Sequence, residues 1–433
     1  MSQSSPCLWT QLPQSSPSPC DRYKHACCSH DGNVYILGGR ESSSLSDFWK
    51  YSVVCDEWTE LNCSGEAAPE ELEEHSMVAH EGFLYVFGGM LDSAYTKRRC
   101  PLWVFDIAKQ KWVRCQGKTI QSQTPTNRKG HSAVVIGSAM LVYGGFIDIK
   151  GSSQEFWSLD LDTMAWTLLT GFQQGSLGPG PRHSHSATAY QDCMYLYGGL
   201  KGLREQRDFW EWNSSSHVWN SLKTKSGPSK LIGHSTVVYK DAMLVFGGGE
   251  SQDAPQNSMW SYSFSSHTWR QVVALPGSTP PGKIHHCWAG LGPSYKPNTG
   301  SGSGLGLHTR ELEDKTRPFK NKCFPAPLTF LGSEGAIELE TFSPDKCHSN
   351  RIYSKSSDVN NSNDCWKKKD AQRIVDCLTF ENKAFRKQWS GTEEELSDGN
   401  IVLHLPDLLL VFGGRPCTRH CPISVWQMTL TDS

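Results

Sequence analysis

No run of 18 or more apolar residues occurs in the chain, so no membrane-spanning helix is predicted. The N-terminal stretch is rich in Ser and Pro and lacks a basic segment followed by an apolar one, the pattern of a secretory signal. Neither sign of charge dominates: 42 Lys and Arg face 44 Asp and Glu, a formal net charge of -2. With no basic field, nothing holds nucleic acid or an anionic membrane non-specifically. Gly-x-Ser-x-Gly, His-Glu-x-x-His and Walker-type loops are missing, which removes the familiar signatures of hydrolases, zinc peptidases and NTPases. A non-enzymatic protein without cofactor or metal is expected, soluble and cytoplasmic. Nuclear import is left open, because Lys367-Lys368-Lys369 is too short a run to assert it. Cysteine is not scarce, but the 16 residues keep no regular spacing, so reduced thiols are expected rather than a disulfide framework.

What the chain does have is glycine and tryptophan, 39 and 16 residues, with no long stretch at helical spacing. That combination predicts many short strands separated by glycine turns. A glycine pair follows a short apolar run six times, at Gly38-Gly39, Gly88-Gly89, Gly144-Gly145, Gly198-Gly199, Gly247-Gly248 and Gly413-Gly414. Thirteen residues before each of the first five pairs stands a histidine: His25, His75, His131, His185 and His234. His286 keeps the rhythm but meets its pair only 127 residues on, so 114 extra residues, roughly 292–405, interrupt the sixth repeat. After each pair an alternating segment carries Trp49, Trp103, Trp157, Trp210, Trp260 or Trp426, and period two means a strand. A second tryptophan follows nine residues later in five repeats, at Trp58, Trp112, Trp166, Trp219 and Trp269.

The sixth second tryptophan would fall at position 435, beyond the last residue. Its counterpart stands at the other end, where Leu8-Trp9-Thr10-Gln11-Leu12 reads like Glu57-Trp58-Thr59-Glu60-Leu61. Four strands per repeat, repeated radially, make an all-β propeller. Six blades are predicted, with the N-terminal strand 7–12 completing the last one. Without the insertion 319 residues remain, about 53 per blade. The repeats are placed at about 25–61, 75–115, 131–169, 185–222, 234–273 and 286–430, in a single domain of 1–433.

This pattern of glycine pairs and spaced tryptophans resembles the kelch-repeat family, whose repeats are close to ~50 residues, and in particular kelch-only proteins without a BTB or BACK segment. The glycine pairs are expected to be structural, since a strand and not a helix N-terminus follows them. The tryptophans are expected between blades. The six histidines, one per blade, lie too far apart around a ring for a metal with bonds of ~2 Å, so a hydrogen-bonding role is expected. Cys417, His420 and Cys421 lack a second ligand pair at zinc spacing. Some kelch proteins are enzymes, among them a copper oxidase and iron-dependent specifier proteins; the Glu-x-x-x-Asp-x-x-x-His pattern of the latter is absent.

The resemblance implies protein binding. Blade-joining loops share a face with the loops between second and third strands, and there the residue three before the recurring histidine is Arg22, Arg128, Arg182 or Lys283 in four blades and Leu72 or Leu231 in two. Arg40 and Arg415 follow their glycine pairs directly. Two readings stand for these cations. They hydrogen-bond their own loops, or they converge on the mouth of the central channel and bind carboxylates bidentately. The second would suit an acidic peptide or a free C-terminus, and it is similar to the use made of this face by kelch substrate receptors of cullin ubiquitin ligases. The insertion, between the first and second strands of blade six, is expected on the opposite face and mostly disordered. Within it Ile374, Leu378, Phe385 and Trp389 fit one face of a short helix from about Asp370 to Trp389.

Overall fold

A computed structural model of the chain describes residues 6–91, 100–114, 124–169, 178–295 and 406–430. The described residues form six four-stranded antiparallel sheets and no α-helix. Blade one is Ala26–His30, Asn33–Leu37, Phe48–Ser52 and Glu57–Leu61, paired in that order. Four more blades repeat this order, beginning at Ser76, Ser132, Ser186 and Ser235, each directly after its recurring histidine. First strands of successive blades contact one another all the way round, blade six against blade one included. They therefore line the central channel, and the fourth strands lie outermost.

Blade six is assembled from both ends of the described chain. Cys287–Leu291 pairs with Leu408–Phe412, which pairs with Val425–Leu430, and the outermost strand is Cys7–Leu12. Trp9 stands opposite Met428. The expected closure by the N-terminal strand is thus present, and residues 296–405 lie between the first and second strands of this blade. The expectations of disorder and of a helix at Asp370–Trp389 fall outside the described residues.

The tryptophan spacing becomes intelligible between blades. The residue before each glycine pair is Leu37, Phe87, Tyr143, Tyr197, Phe246 or Phe412, and five of the six are aromatic. Each of those five receives the fourth-strand tryptophan of the next blade. Centroid distances are 5.2 Å for Phe87–Trp166, 5.2 Å for Tyr143–Trp219, 5.5 Å for Tyr197–Trp269 and 6.1 Å for Phe412–Trp58. Trp9 obeys the same rule, 4.7 Å from Phe246, so the N-terminal strand packs as a fourth strand should. Blade one offers Leu37 instead, and Trp112 packs 5.4 Å from Phe48 of that blade. Pairs of this kind are worth ~0.5–1.5 kcal/mol each beyond their burial.

The glycine pairs occupy the tightest part of the structure. A Cβ on Gly88 would lie 2.5 Å from the Arg128 carbonyl oxygen and 2.7 Å from Cε1 of His131. A Cβ on Gly89 would lie 2.6 Å from Cβ of His75. Each pair is wedged between the histidine of its own blade and that of the next, which accounts for the constant interval of thirteen.

Candidate functional site

The face on which the recurring histidines stand is built from two loop sets that pair through their main chains. Tyr23 pairs with Arg40, Lys129 with Phe146, His183 with Leu200, Ile232 with Gly249 and Ile284 with Arg415. Blade-joining loops and second-to-third-strand loops therefore share this face, as the sequence suggests.

At its centre a further ring closes. The residues immediately before the histidines are Lys24, Glu74, Gly130, Ser184, Gly233 and His285, all with left-handed backbone at φ of 53–63°. The N–H of each donates to the carbonyl of its predecessor around the ring, Lys24 to His285 completing the circuit, at 2.7–2.9 Å. Below it lies a channel cavity of about 250 Å³ whose lining includes the six histidines. Burial pushes His75, His131, His234 and His286 down to about 3, so these imidazoles are neutral. Nε2 of His131 and of His185 meet the hydroxyls of Ser76 and Ser132 at 2.8 and 2.9 Å. Among the described residues no group of three or more His, Cys, Asp or Glu is placed to hold a metal ion.

Four of the cations singled out in the sequence do not converge on this mouth. Arg22 and Arg128 are wholly buried, Arg182 is 1 % exposed and Lys283 5 %. Arg22 grips Asp47 bidentately at 2.6 and 2.7 Å and donates to the Gly38 carbonyl at 3.1 Å. Arg128 holds Glu155 at 2.6 Å and the Gly144 carbonyl at 3.2 Å. Arg182 holds both oxygens of Asp208 at 2.7 Å and the Gly198 carbonyl at 2.7 Å. Each carboxylate also accepts the indole N–H of the tryptophan two residues on, Trp49, Trp157 or Trp210. Burial pushes Asp47, Glu155 and Asp208 up, but the guanidinium's hydrogen bonds and charge together with the indole N–H outweigh it and hold all three below their ordinary values. Lys283 Nζ reaches the Pro416 and Gly414 carbonyls at 2.7 and 3.2 Å. The reading in which the cations serve their own loops therefore describes these four.

Their partners were visible in the chain. Where the blade has Arg, the residue two before its first tryptophan is acidic; where it has Leu72 or Leu231, that position is Pro101 or Ser258; where it has Lys283, it is Ser424. A buried cation requires a paired anion, and the repeats change the two positions together.

Arg40 and Arg415 do reach the surface, with side chains 41 % and 46 % exposed, in ion pairs with Glu73 at 2.9 Å and Asp253 at 3.2 Å. Beside them Lys24 pairs with Glu74 at 2.7 Å. Burial pushes the Glu74 carboxyl up, but His285 and Lys24 outweigh this and hold it below its ordinary value. Sequence reasoning passed over Lys24, Glu74 and His285, because the position before the histidine carries a different kind of residue in nearly every blade and a search for recurrence discards it.

It also passed over two hairpins. Phe146–Ile147 pairs with Gly151–Ser152 above blade three, and Leu200–Lys201 pairs with Arg204–Glu205 above blade four. Their tips carry Ile149 and Leu203, 94 % and 93 % exposed. Ile149 has φ of 72°, costly for a β-branched residue. Phe146, 40 % exposed, rests edge-on against His183 of the neighbouring loop. Next to the blade-four hairpin runs a groove of about 630 Å³ whose lining includes Arg207, Lys223, Lys225 and Lys230. All four are exposed, as are Lys201 and Arg204 on the hairpin. Against them in this region stand Glu205 and Asp208, and Asp208 is taken by Arg182. A protein of near-zero net charge thus concentrates cations beside exposed apolar tips.

Comparison with known proteins finds one family model, the KLHDC2/KLHL20/DRC7 Kelch-repeats domain, matching residues 3–122 and 75–294. The chain is 26% identical over 260 residues to Leucine-zipper-like transcriptional regulator 1 homolog of Drosophila melanogaster, covering 53% of this chain and 25% of that protein. It is 28% identical over 171 residues to Kelch domain-containing protein 3 of Bos taurus, covering 38% of this chain and 44% of the relative. With Kelch domain-containing protein 10 of Rattus norvegicus it shares 24% over 302 residues, 64% of this chain and 70% of the relative. The chain spans a quarter and under half of the first two relatives' lengths.

Proposed function

The chain belongs to the kelch-repeat family, and from that premise we propose that it is a protein-interaction adaptor reading an acidic segment with apolar side chains on the blade-joining-loop face. The kelch propeller is typically a non-enzymatic interaction module. The observation that carries the reading is the pairing of exposed Ile149 and Leu203 with the exposed cations Lys201, Arg204, Arg207, Lys223, Lys225 and Lys230. Arg40 and Arg415 extend the positive surface on blades one and six, where a partner's carboxylate competes with Glu73 and Asp253. An apolar anchor surrounded by steering charge is the arrangement in which few residues carry most of the affinity.

Affinity purification with quantitative mass spectrometry tests this, comparing the wild type with an Arg207→Glu, Lys223→Glu, Lys225→Glu variant and an Arg40→Glu, Arg415→Glu variant. All five positions are surface-exposed or half-exposed, so both variants should fold. Partners lost from the first but retained by a matched variant of Lys50 and Lys111 support the reading; an unchanged list overturns it. Cullin subunits among the proteins retained by the charge variants would place the adaptor in a ubiquitin ligase, the narrower role suggested by resemblance to kelch substrate receptors. Their absence, with partner levels indifferent to proteasome inhibition, removes that role and leaves the adaptor.

A further inference from the structure

The innermost strands of blades one and six meet along the seam where the ring closes, and two thiols face each other across it. Cys27, on Ala26–His30, and Cys287, on Cys287–Leu291, are 260 residues apart. Cys287 Sγ lies 2.9 Å from the His25 carbonyl oxygen. Cys27 Sγ lies 3.5 Å from the Trp288 carbonyl oxygen. Each sulfur thus reaches across the seam to the main chain of the opposite blade. Both line the channel cavity, which supplies an approach for a small molecule. Cys28, the adjacent residue, belongs instead to the apolar cluster between blades one and two, whereas Cys27 packs in that between blades one and six.

We propose that Cys27 and Cys287 form a peroxide-oxidisable dithiol, a modification site that staples blade one to blade six. Cys287 is the attacking sulfur, held below the ordinary thiol value by its nearness to Cys27 and His25, while Cys27 is pushed up by Cys287 and by burial. The Cys287 thiolate attacks one oxygen of hydrogen peroxide, the O–O bond breaks, and the departing hydroxide takes the released proton to leave as water. The Cys287 sulfenic acid then receives attack by Cys27 sulfur. The S–S bond forms, and the sulfenic oxygen leaves as a second water with the Cys27 proton. The two sulfurs together lose two electrons and the peroxide gains them. The product closes a covalent loop of 260 residues around the ring, and loops of that length are where a cross-link constrains the unfolded chain most.

The test treats the purified full-length protein with stoichiometric hydrogen peroxide, maps peptides without reduction and records thermal melting. A cross-linked peptide joining Cys27 to Cys287, reversed by dithiothreitol, is expected. A rise in Tm of about 5 °C or more should accompany it. Cys28→Ser should keep both effects, and Cys27→Ser and Cys287→Ser should each lose both. A sulfinic acid at Cys287 with Cys27 still reduced, a cross-link through Cys28, or an equal Tm rise in Cys287→Ser overturns the proposal. The wild-type peptide map decides the matter even if a serine variant fails to fold.

Discussion

At the scale of single residues, room and backbone conformation make separable contributions to stability. Gly82 and Gly88 have nearly the same φ, 78° and 75°, but a Cβ on Gly82 meets nothing within 4 Å whereas one on Gly88 meets the Arg128 carbonyl at 2.5 Å. Gly82→Ala should cost about 1–2 kcal/mol, the left-handed penalty alone, and Gly88→Ala about 3 kcal/mol or more. Equal losses in denaturant titrations would mean that the contact between blades is not as tight as described. The arginine triads make a second residue-scale prediction. Arg182→Leu leaves Asp208 half-buried and unpaired, at a cost of about 3 kcal/mol. Adding Asp208→Ser recreates the Leu231 and Ser258 combination of blade five and should recover more than half of the loss. A double variant no more stable than the single would show that the triad does not act as a unit.

At the scale of strands and loops, the chain announces most of its architecture. Glycine pairs and tryptophans nine residues apart disclose the second, third and fourth strands because packing between blades demands the same side chains each time. Trp9 disclosed the closing strand for the same reason, since it must fill the site beside Phe246 that every other blade fills from its own repeat. The face carrying the loops was legible too, as it follows from strand alternation. The fate of Arg22, Arg128 and Arg182 was left open between their own loops and a partner's carboxylate, because one repeat position viewed alone shows a cation and hides the carboxylate some 25 residues on. The hairpins at Phe146–Ser152 and Leu200–Glu205 were missed because they occur in two blades only and a search for recurrence discards them. Deleting residues 1–13 should remove the fourth strand of blade six and Trp9, exposing the edge of Val425–Leu430. A sharply lowered melting temperature is expected, and an unchanged one would refute the closure.

At the scale of the whole molecule, the ring of neutral imidazoles makes stability depend on acidity. Each of His75, His131, His234 and His286 sits at about 3 in the fold against ~6.5 in the unfolded chain. Below ~6.5 the unfolded chain binds protons that the folded ring refuses, so stability falls as pH falls from there towards 3. At pH 5.5 the loss is about 1.4 kcal/mol for each such histidine. Melting temperature should therefore decline steeply between pH 7 and 5, and a flat profile would show that the imidazoles are protonated in the folded ring.

Pairing Cys7–Leu12 with Val425–Leu430 also orders events in time. Trp9 leaves the ribosome 419 residues before its neighbour Met428, and translation at ~5–20 residues per second separates them by roughly 20–80 s. Five blades can form during that wait, but the sixth cannot, and Cys7–Leu12, the earliest of the described strands, is the last of them to find its place. Nascent chains therefore carry an unpaired apolar strand throughout that wait, the interval in which a holding chaperone has something to bind.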